Sequence, residues 1–184
     1  GDILSSETRF ALLEQTSCKH FVDDKVLTEE LSVFGNRLSI MERQSDVNES
    51  DIDQLKEYYA LLQVKDYLLV SRLAEKCGTH PVIVFYFYTK DCPECDREGY
   101  ILTDVQKDYE GLNLYSFDYN MESSAVRTLI SILDVPQDKL PTLIINGVMY
   151  ENGLEEQELR DVLDKVFPKQ TVKNENADIT GTNN

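Results

Sequence analysis

The first 78 residues contain no proline and only three glycines, Gly1, Gly35 and Gly78, so nothing in that stretch forbids continuous helix. Basic residues are scarce: 18 Lys and Arg face 34 Asp and Glu, for a net charge of −16. Phosphate binding requires clustered Lys and Arg, so this balance argues against nucleic acid and equally against an anionic membrane surface. It reads instead as a solvated acidic surface that aids solubility. Long apolar runs are missing too. The longest, Pro81 to Tyr88, has the length of one buried strand, whereas a bilayer span needs roughly 20 residues. No membrane-spanning or signal segment is expected in this chain. Four cysteines are too few for a disulfide scaffold among 184 residues. With 41% hydrophobic residues, the chain can still bury a real core, as one domain or as a domain with a helical appendage.

Within residues 1–78, apolar positions recur at helical spacing. Phe10, Leu13, Ser17 and Phe21 give a first short helix, and Leu27, Leu31, Phe34, Leu38 and Met41 give a second, capped by Asp23 or Asp24. A polar turn follows at 45–50, where Ser50 or Asp51 can cap the next helix. That third helix carries the stripe Ile52, Leu55, Tyr59, Leu62, Asp66, Leu69 and Leu73, and Gly78 ends it. Helices two and three read as an antiparallel hairpin with facing apolar stripes, a candidate surface for oligomerisation.

From Pro81 the pattern changes to β-branched and aromatic residues. Val82 to Tyr88 suits a strand covered on both faces. A helix follows from Pro93 to about Tyr109, then a strand from Leu112 to Phe117, and a helix opened by Ser123 or Ser124. Thr142 to Ile145 and Val148 to Tyr150 are strands joined by the turn pair Asn146-Gly147, and Leu154 to Phe167 closes with a helix. The order β-α-β-α-β-β-α demands a mixed sheet with helices on its faces. The polar segment 169–184 reads as a disordered tail.

Cys92 and Cys95 form a C-x-x-C pair, while Cys18 and Cys77 are either buried thiols or a second disulfide. Cys77-x-x-His80 followed by Cys92-x-x-Cys95 mimics zinc-ligand spacing. The intervening strand rises about 3.3 Å per residue, which holds the two pairs too far apart for one ion. No metal or other cofactor is assigned. His80 reads as a loop residue and His20 as an exposed helix residue.

The strand Val82–Tyr88, then Cys92-Pro93-Glu94-Cys95, then Leu140-Pro141-Thr142-Leu143 about 45 residues later, resembles thioredoxin-like proteins. The resemblance covers 80–167 and implies an α/β fold. It predicts a four-stranded mixed sheet flanked by helices, here behind an N-terminal helical hairpin. The division is then 1–78 helical, 79–168 thioredoxin-like, 169–184 tail. It further implies thiol–disulfide exchange with protein thiols and disulfides, and with a redox partner. In this reading Cys92 attacks from a helix N-terminus, where the dipole favours a thiolate, and Cys95 resolves the mixed disulfide. Pro93, at the first helical position, and Glu94 are expected beside the substrate. Leu140 and Pro141, with a cis bond between them, would offer an edge for an extended substrate strand.

The departures are specific. Thioredoxins carry Trp before the first cysteine and Gly-Pro within the pair, where this chain has Asp91 and Pro93-Glu94. Pro after the first cysteine is similar to glutaredoxins and the periplasmic disulfide oxidases. Tyr86 stands where thioredoxins bury an acid, and Leu114 where they place its lysine. Asp91, Glu94 and Asp96 set negative charge against a thiolate at Cys92, which predicts a reductant or isomerase-like couple. These departures also suit an alternative, a binding module with a static disulfide and the hairpin as partner surface. The start at Gly1 and the alternative Cys18–Cys77 bridge favour an extracytoplasmic, secreted or membrane-tethered origin over a cytoplasmic one.

Overall fold

The computed structural model describes residues 2–15, 18, 31, 35–38, 40, 41, 44, 46 and 48–168. Helix α1 spans Asp2–Glu14, and α2 spans the 29 residues Glu49–Cys77. The start of α2 is capped by Asn48, whose side chain accepts the Ser50 N–H at 3.0 Å, and not by Ser50 or Asp51. All three suit the role chemically, but Asn48 is the residue in extended conformation just before the first turn. At the other end Gly78 takes the left-handed conformation, φ 66°, and its N–H returns to the Ala74 carbonyl. Phe10 and Leu13 of α1 pack against Leu62, Leu69 and Leu73 of α2, together with Leu31. Two surface ion pairs, Lys65–Glu7 and Arg72–Glu14, flank that seam. Cys18 is bonded to Cys77, with a Cα separation of 5.5 Å. Leu31, residues 35–38, Ile40 and Met41 are helical. The rest of the 27–41 pattern lies outside the described residues, as do Ser17, Phe21, Asp23, Asp24, His20 and the 169–184 segment.

Beyond α2 the chain builds one sheet. Strand β1 (Val82–Tyr88) pairs in parallel with β2 (Leu112–Asp118), in register from Val82↔Leu112 to Tyr88↔Asp118. A parallel pair needs a crossover, and helix α3 (Pro93–Gln106) supplies it. Helix α4 (Ser124–Leu133), capped by Ser123, and a short 3-10 turn at Gln137–Lys139 then lead to β3 (Thr142–Ile145). β3 is antiparallel to β1, and β4 (Val148–Tyr150) is antiparallel to β3, giving the order β2-β1-β3-β4. Asn146 and Gly147 turn the hairpin with φ of 46° and 85°, the signs a two-residue loop of this kind requires. Helix α5 (Glu156–Val166) is the last element among the described residues.

Alternation along β1 divides the core between the two faces of the sheet. Val82, Val84 and Tyr86 meet Leu102 and Val105 of α3 and Leu159 and Leu163 of α5. Phe85 and Phe87 meet Tyr115, Phe117 and Ile144, under Val126 and Leu129 of α4 and Ala60, Val64 and Tyr67 of α2. Helix α2 therefore has two working rows: one meets α1, and the other belongs to the core of the sheet. Its polar residues join in. The Gln63 amide gives a hydrogen bond to the Ser116 carbonyl at 2.9 Å and takes one from the Ser116 N–H at 2.8 Å, covering the outer edge of β2. Next to it the Tyr115 hydroxyl donates to buried Asp66 at 2.5 Å.

The result is an α/β thioredoxin-like fold, a four-stranded mixed sheet between helices. Among the described residues, no helix is long and apolar enough to cross a membrane.

Candidate active site

The turn after β1 aims the cysteine pair. Asp91 sits at φ 54°, a left-handed conformation that Asp tolerates better than most residues, and it reverses the chain just before Cys92. Cys92 is the N-cap of α3, in extended conformation, with Pro93 at the first helical position. Its carbonyl accepts the Asp96 N–H at 3.1 Å and its sulfur accepts the Cys95 N–H at 3.1 Å. Cys92 and Cys95 are joined as a disulfide, with Cα atoms 5.1 Å apart. The two sulfurs differ in environment. Cys92 is half-buried at the helix tip, whereas Cys95 has 0% of its surface exposed. Pro93, Glu94, Asp91 and Asp96 are exposed around them.

Beneath the pair, Tyr86 of β1 donates its hydroxyl to the Cys95 carbonyl. Burial pushes the Tyr86 phenol well above its ordinary value, and the charges of Tyr88, Glu98 and Asp96 push the same way, so it stays a neutral donor. One helical turn past Cys95 lies Glu98, only 4% exposed. Its Oε1 accepts the Leu154 N–H at 3.0 Å. Burial raises its pKa, and the Leu154 bond and the Arg97 charge offset part of that rise. Arg97 itself reaches outward to a bidentate pair with Glu155, at 2.8 and 2.6 Å, tying α3 to the start of α5.

The loop entering β3 borders the same region. The Leu140–Pro141 peptide is cis, with Leu140 extended at φ −76° and ψ 145°. Leu140 packs on the α2–α4 side of the sheet, while Pro141 is buried on the α3–α5 side. A Cβ added to Gly153 would stand 3.3 Å from the Pro141 ring and 2.7 Å from Glu98 Oε2. Pro141, Gly153 and Glu98 are thus mutual neighbours on the Cys95 side of α3.

Of the residues singled out from sequence, Cys92, Pro93, Glu94 and Cys95 share the tip of α3, and Pro141 borders the turn below them. Leu114 is half-buried against the α3–α5 core and offers no charge there. His80 is exposed in the loop before β1, and the Cys77 of the zinc-like spacing is committed to Cys18. Sequence reading missed Glu98. Its signal was present: the positions 95, 98, 102 and 105 form one helical row, and Glu98 is the lone charge in it.

No family model matches the chain, and no curated protein matches it. Among solved structures it is similar to a chain described only as a malarial protein, at 24% identity and TM-score 0.40, over 48% of this chain and 99% of that one. It is similar to oxidised thioredoxin O2 from Arabidopsis thaliana, at 20% identity and TM-score 0.42, over 56% of this chain and 90% of that one. The germline-specific thioredoxin Deadhead from Drosophila melanogaster is a further likeness, at 15% identity and TM-score 0.41, over 53% and 94% of the two chains.

Proposed function

We propose that the protein is a thiol–disulfide oxidoreductase acting on protein disulfides through Cys92 and Cys95, on the reductant or isomerase side. The observation that carries this reading is the unequal burial of the pair: Cys92 half-buried at a helix N-terminus, Cys95 wholly enclosed. An attacking thiol must be reached by substrate, and a resolving thiol must be reached only by its neighbour. Unpaired N–H groups at the start of α3 favour a thiolate on Cys92. Pro93, Glu94, Leu140 and Pro141 frame the substrate in this proposal, with the extended backbone at Leu140 as its docking edge. The exposed acids Asp91, Glu94 and Asp96 oppose the helix dipole, which keeps the reduced form only weakly stabilised and the couple reducing.

The test is trapping. Cys95→Ser should accumulate mixed disulfides with protein partners, resolved on a non-reducing gel, and Cys92→Ser should accumulate almost none. Equal, empty lanes together with a Cys92 that resists alkylation after reduction would sink the enzyme reading. They would leave a scaffold with a static disulfide, whose partner surface is the N-terminal helical hairpin.

A further inference from the structure

Cys95 presents a chemical difficulty that its neighbours bear on directly. A thiol with 0% exposure must lose its proton before it can attack, and burial opposes the charged form. Tyr86 cannot take that proton, because its hydroxyl already donates to the Cys95 carbonyl and its phenol is held neutral. Glu98 is placed to do so. It lies three residues beyond Cys95 on the same buried row of α3, a spacing that puts side chains side by side. One oxygen is fixed by the Leu154 N–H. Room for the other depends on Gly153, where a Cβ would come within 2.7 Å of Oε2. The Leu154 bond holds the side chain between Pro141 and the Gly153–Leu154 loop, a task that a neutral amide oxygen would perform as well, so what the acid adds at that position is a site for a proton.

We infer that Glu98 accepts the proton of the Cys95 thiol in the resolving step, an inference that rests on the exchange reading above. In the first step the Cys92 thiolate attacks a substrate disulfide, and one substrate sulfur leaves as a thiolate. In the second, Glu98 takes the Cys95 proton and the Cys95 thiolate attacks Cys92 Sγ. The Cys92–Cys95 bond forms, the bond from Cys92 to substrate breaks, and the second substrate sulfur leaves with its electron pair. That sulfur takes a proton from solvent, and Glu98 later returns its own to solvent. Two electrons pass from the protein dithiol to the substrate, which ends as two thiols.

Every element around the carboxyl contributes to its titration. Arg97 on α3 favours the charged form, Glu155 and Glu158 at the start of α5 oppose it, and Tyr86 on β1 is neutral. Burial is the largest influence, and it holds the Glu98 pKa above an ordinary glutamate, closer to the thiol it would serve.

The experiment is a stopped-flow reaction of the reduced full chain with one equivalent of dithionitrobenzoate, followed from about pH 5 to about pH 9. The first thionitrobenzoate released reports attack by Cys92 and the second reports attack by Cys95. In the wild type the second release should rise with ionisation of Glu98 and then level. Glu98→Gln, which keeps the acceptor for Leu154, should leave the first release unchanged. It should slow the second about 100-fold near neutral pH and lose the acid limb, the gap to the wild type narrowing as pH rises toward the ionisation of the buried thiol, above the ordinary thiol value of about 8.5. Identical profiles for the two proteins would overturn the inference, and so would an equal slowing at every pH, which a structural role alone predicts. If Glu98→Gln lacks native circular dichroism, Glu98→Asp decides. A retained acid limb with a slower plateau supports the role, and loss of the limb with a carboxyl still present overturns it. A wild type that releases neither equivalent fails the exchange reading itself.

Discussion

The two disulfides are the same covalent bond in opposite settings. Cys77 is the last residue of α2, at the end where carbonyls gather negative potential, and its bond to Cys18 closes a sequence separation of 59. Cys92 caps the start of α3, where N–H groups gather positive potential, and its bond to Cys95 spans a separation of 3. A thiolate is disfavoured at the first position and favoured at the second. The long closure removes much more freedom from the unfolded chain than the short one. Helix polarity and loop length therefore suit one bond to stability and the other to the exchange proposed above, without any difference in the sulfurs themselves.

The largest expected effect tests that division. On chain entropy alone, replacing Cys18 and Cys77 together with Ser should cost roughly 4 kcal/mol, against roughly 2 kcal/mol for replacing Cys92 and Cys95. Urea unfolding of the two double variants, compared by midpoint at equal slope, measures both. Equal losses, or the reverse order, would break the comparison.

How much of this could be read from sequence depends on how far each element obeys a single period. The limits Thr142–Ile145 and Val148–Tyr150 were legible because β-branched residues flank an Asn-Gly turn. Helix α2 was legible as a helix, but only through the stripe that includes Leu62, Leu69 and Leu73. Its second row, Ala60, Gln63, Val64 and Tyr67, has helical spacing too, but it mixes a small, a polar, a β-branched and an aromatic residue and is masked by the leucine stripe beside it. Gln63 is buried because its amide answers the backbone of Ser116, a long-range match with no local trace. The cysteine pair was legible from spacing. The groups beneath it were legible only in part: the row of Cys95, Glu98, Leu102 and Val105 marks Glu98 as inward-facing, but nothing local shows that Leu154 and Gly153 fold over it.

Asp66 and Glu98 sharpen the comparison at an intermediate scale, since both are buried carboxyls and only one lies near a cysteine. Burial raises the Asp66 pKa above 3.8, and the Tyr115 hydrogen bond offsets part of the rise. A raised acid binds its proton more tightly in the folded state. Its stabilising contribution is thus complete below the unfolded pKa and is lost as pH climbs through the folded one. The Asp66 contribution to stability should accordingly fall as pH rises above about 4, in the same direction as that of Glu98. Asp66→Asn keeps an acceptor for Tyr115 and removes the titration, so it should flatten that slope while leaving the release of thionitrobenzoate unaltered. Unfolding midpoints measured across this range provide the check. An unchanged slope would show that Asp66 contributes nothing to it.

The smallest effect is expected at Glu94, whose charge stands beside the Cys92 cap without being buried. Opposition from an exposed acid is screened by solvent and salt, and each such charge acts with only a fraction of the helix dipole's pull. Glu94→His removes one negative charge and adds a partial positive one, so it should favour the Cys92 thiolate and stabilise the reduced form. A stabilised reduced form makes the couple more oxidising, here by about 10–20 mV, since 30 mV corresponds to about 1.4 kcal/mol for two electrons. Equilibration of wild type and variant with a graded glutathione buffer reads the difference, and raising the salt should shrink it. The same substitution should leave the Cys18–Cys77 bond and the unfolding midpoint unmoved, because it touches neither. A shift of about 100 mV would mean that the acids around Cys92 act with far less screening than their exposure implies, and a shift toward the reducing side would reverse the assigned role of the charge.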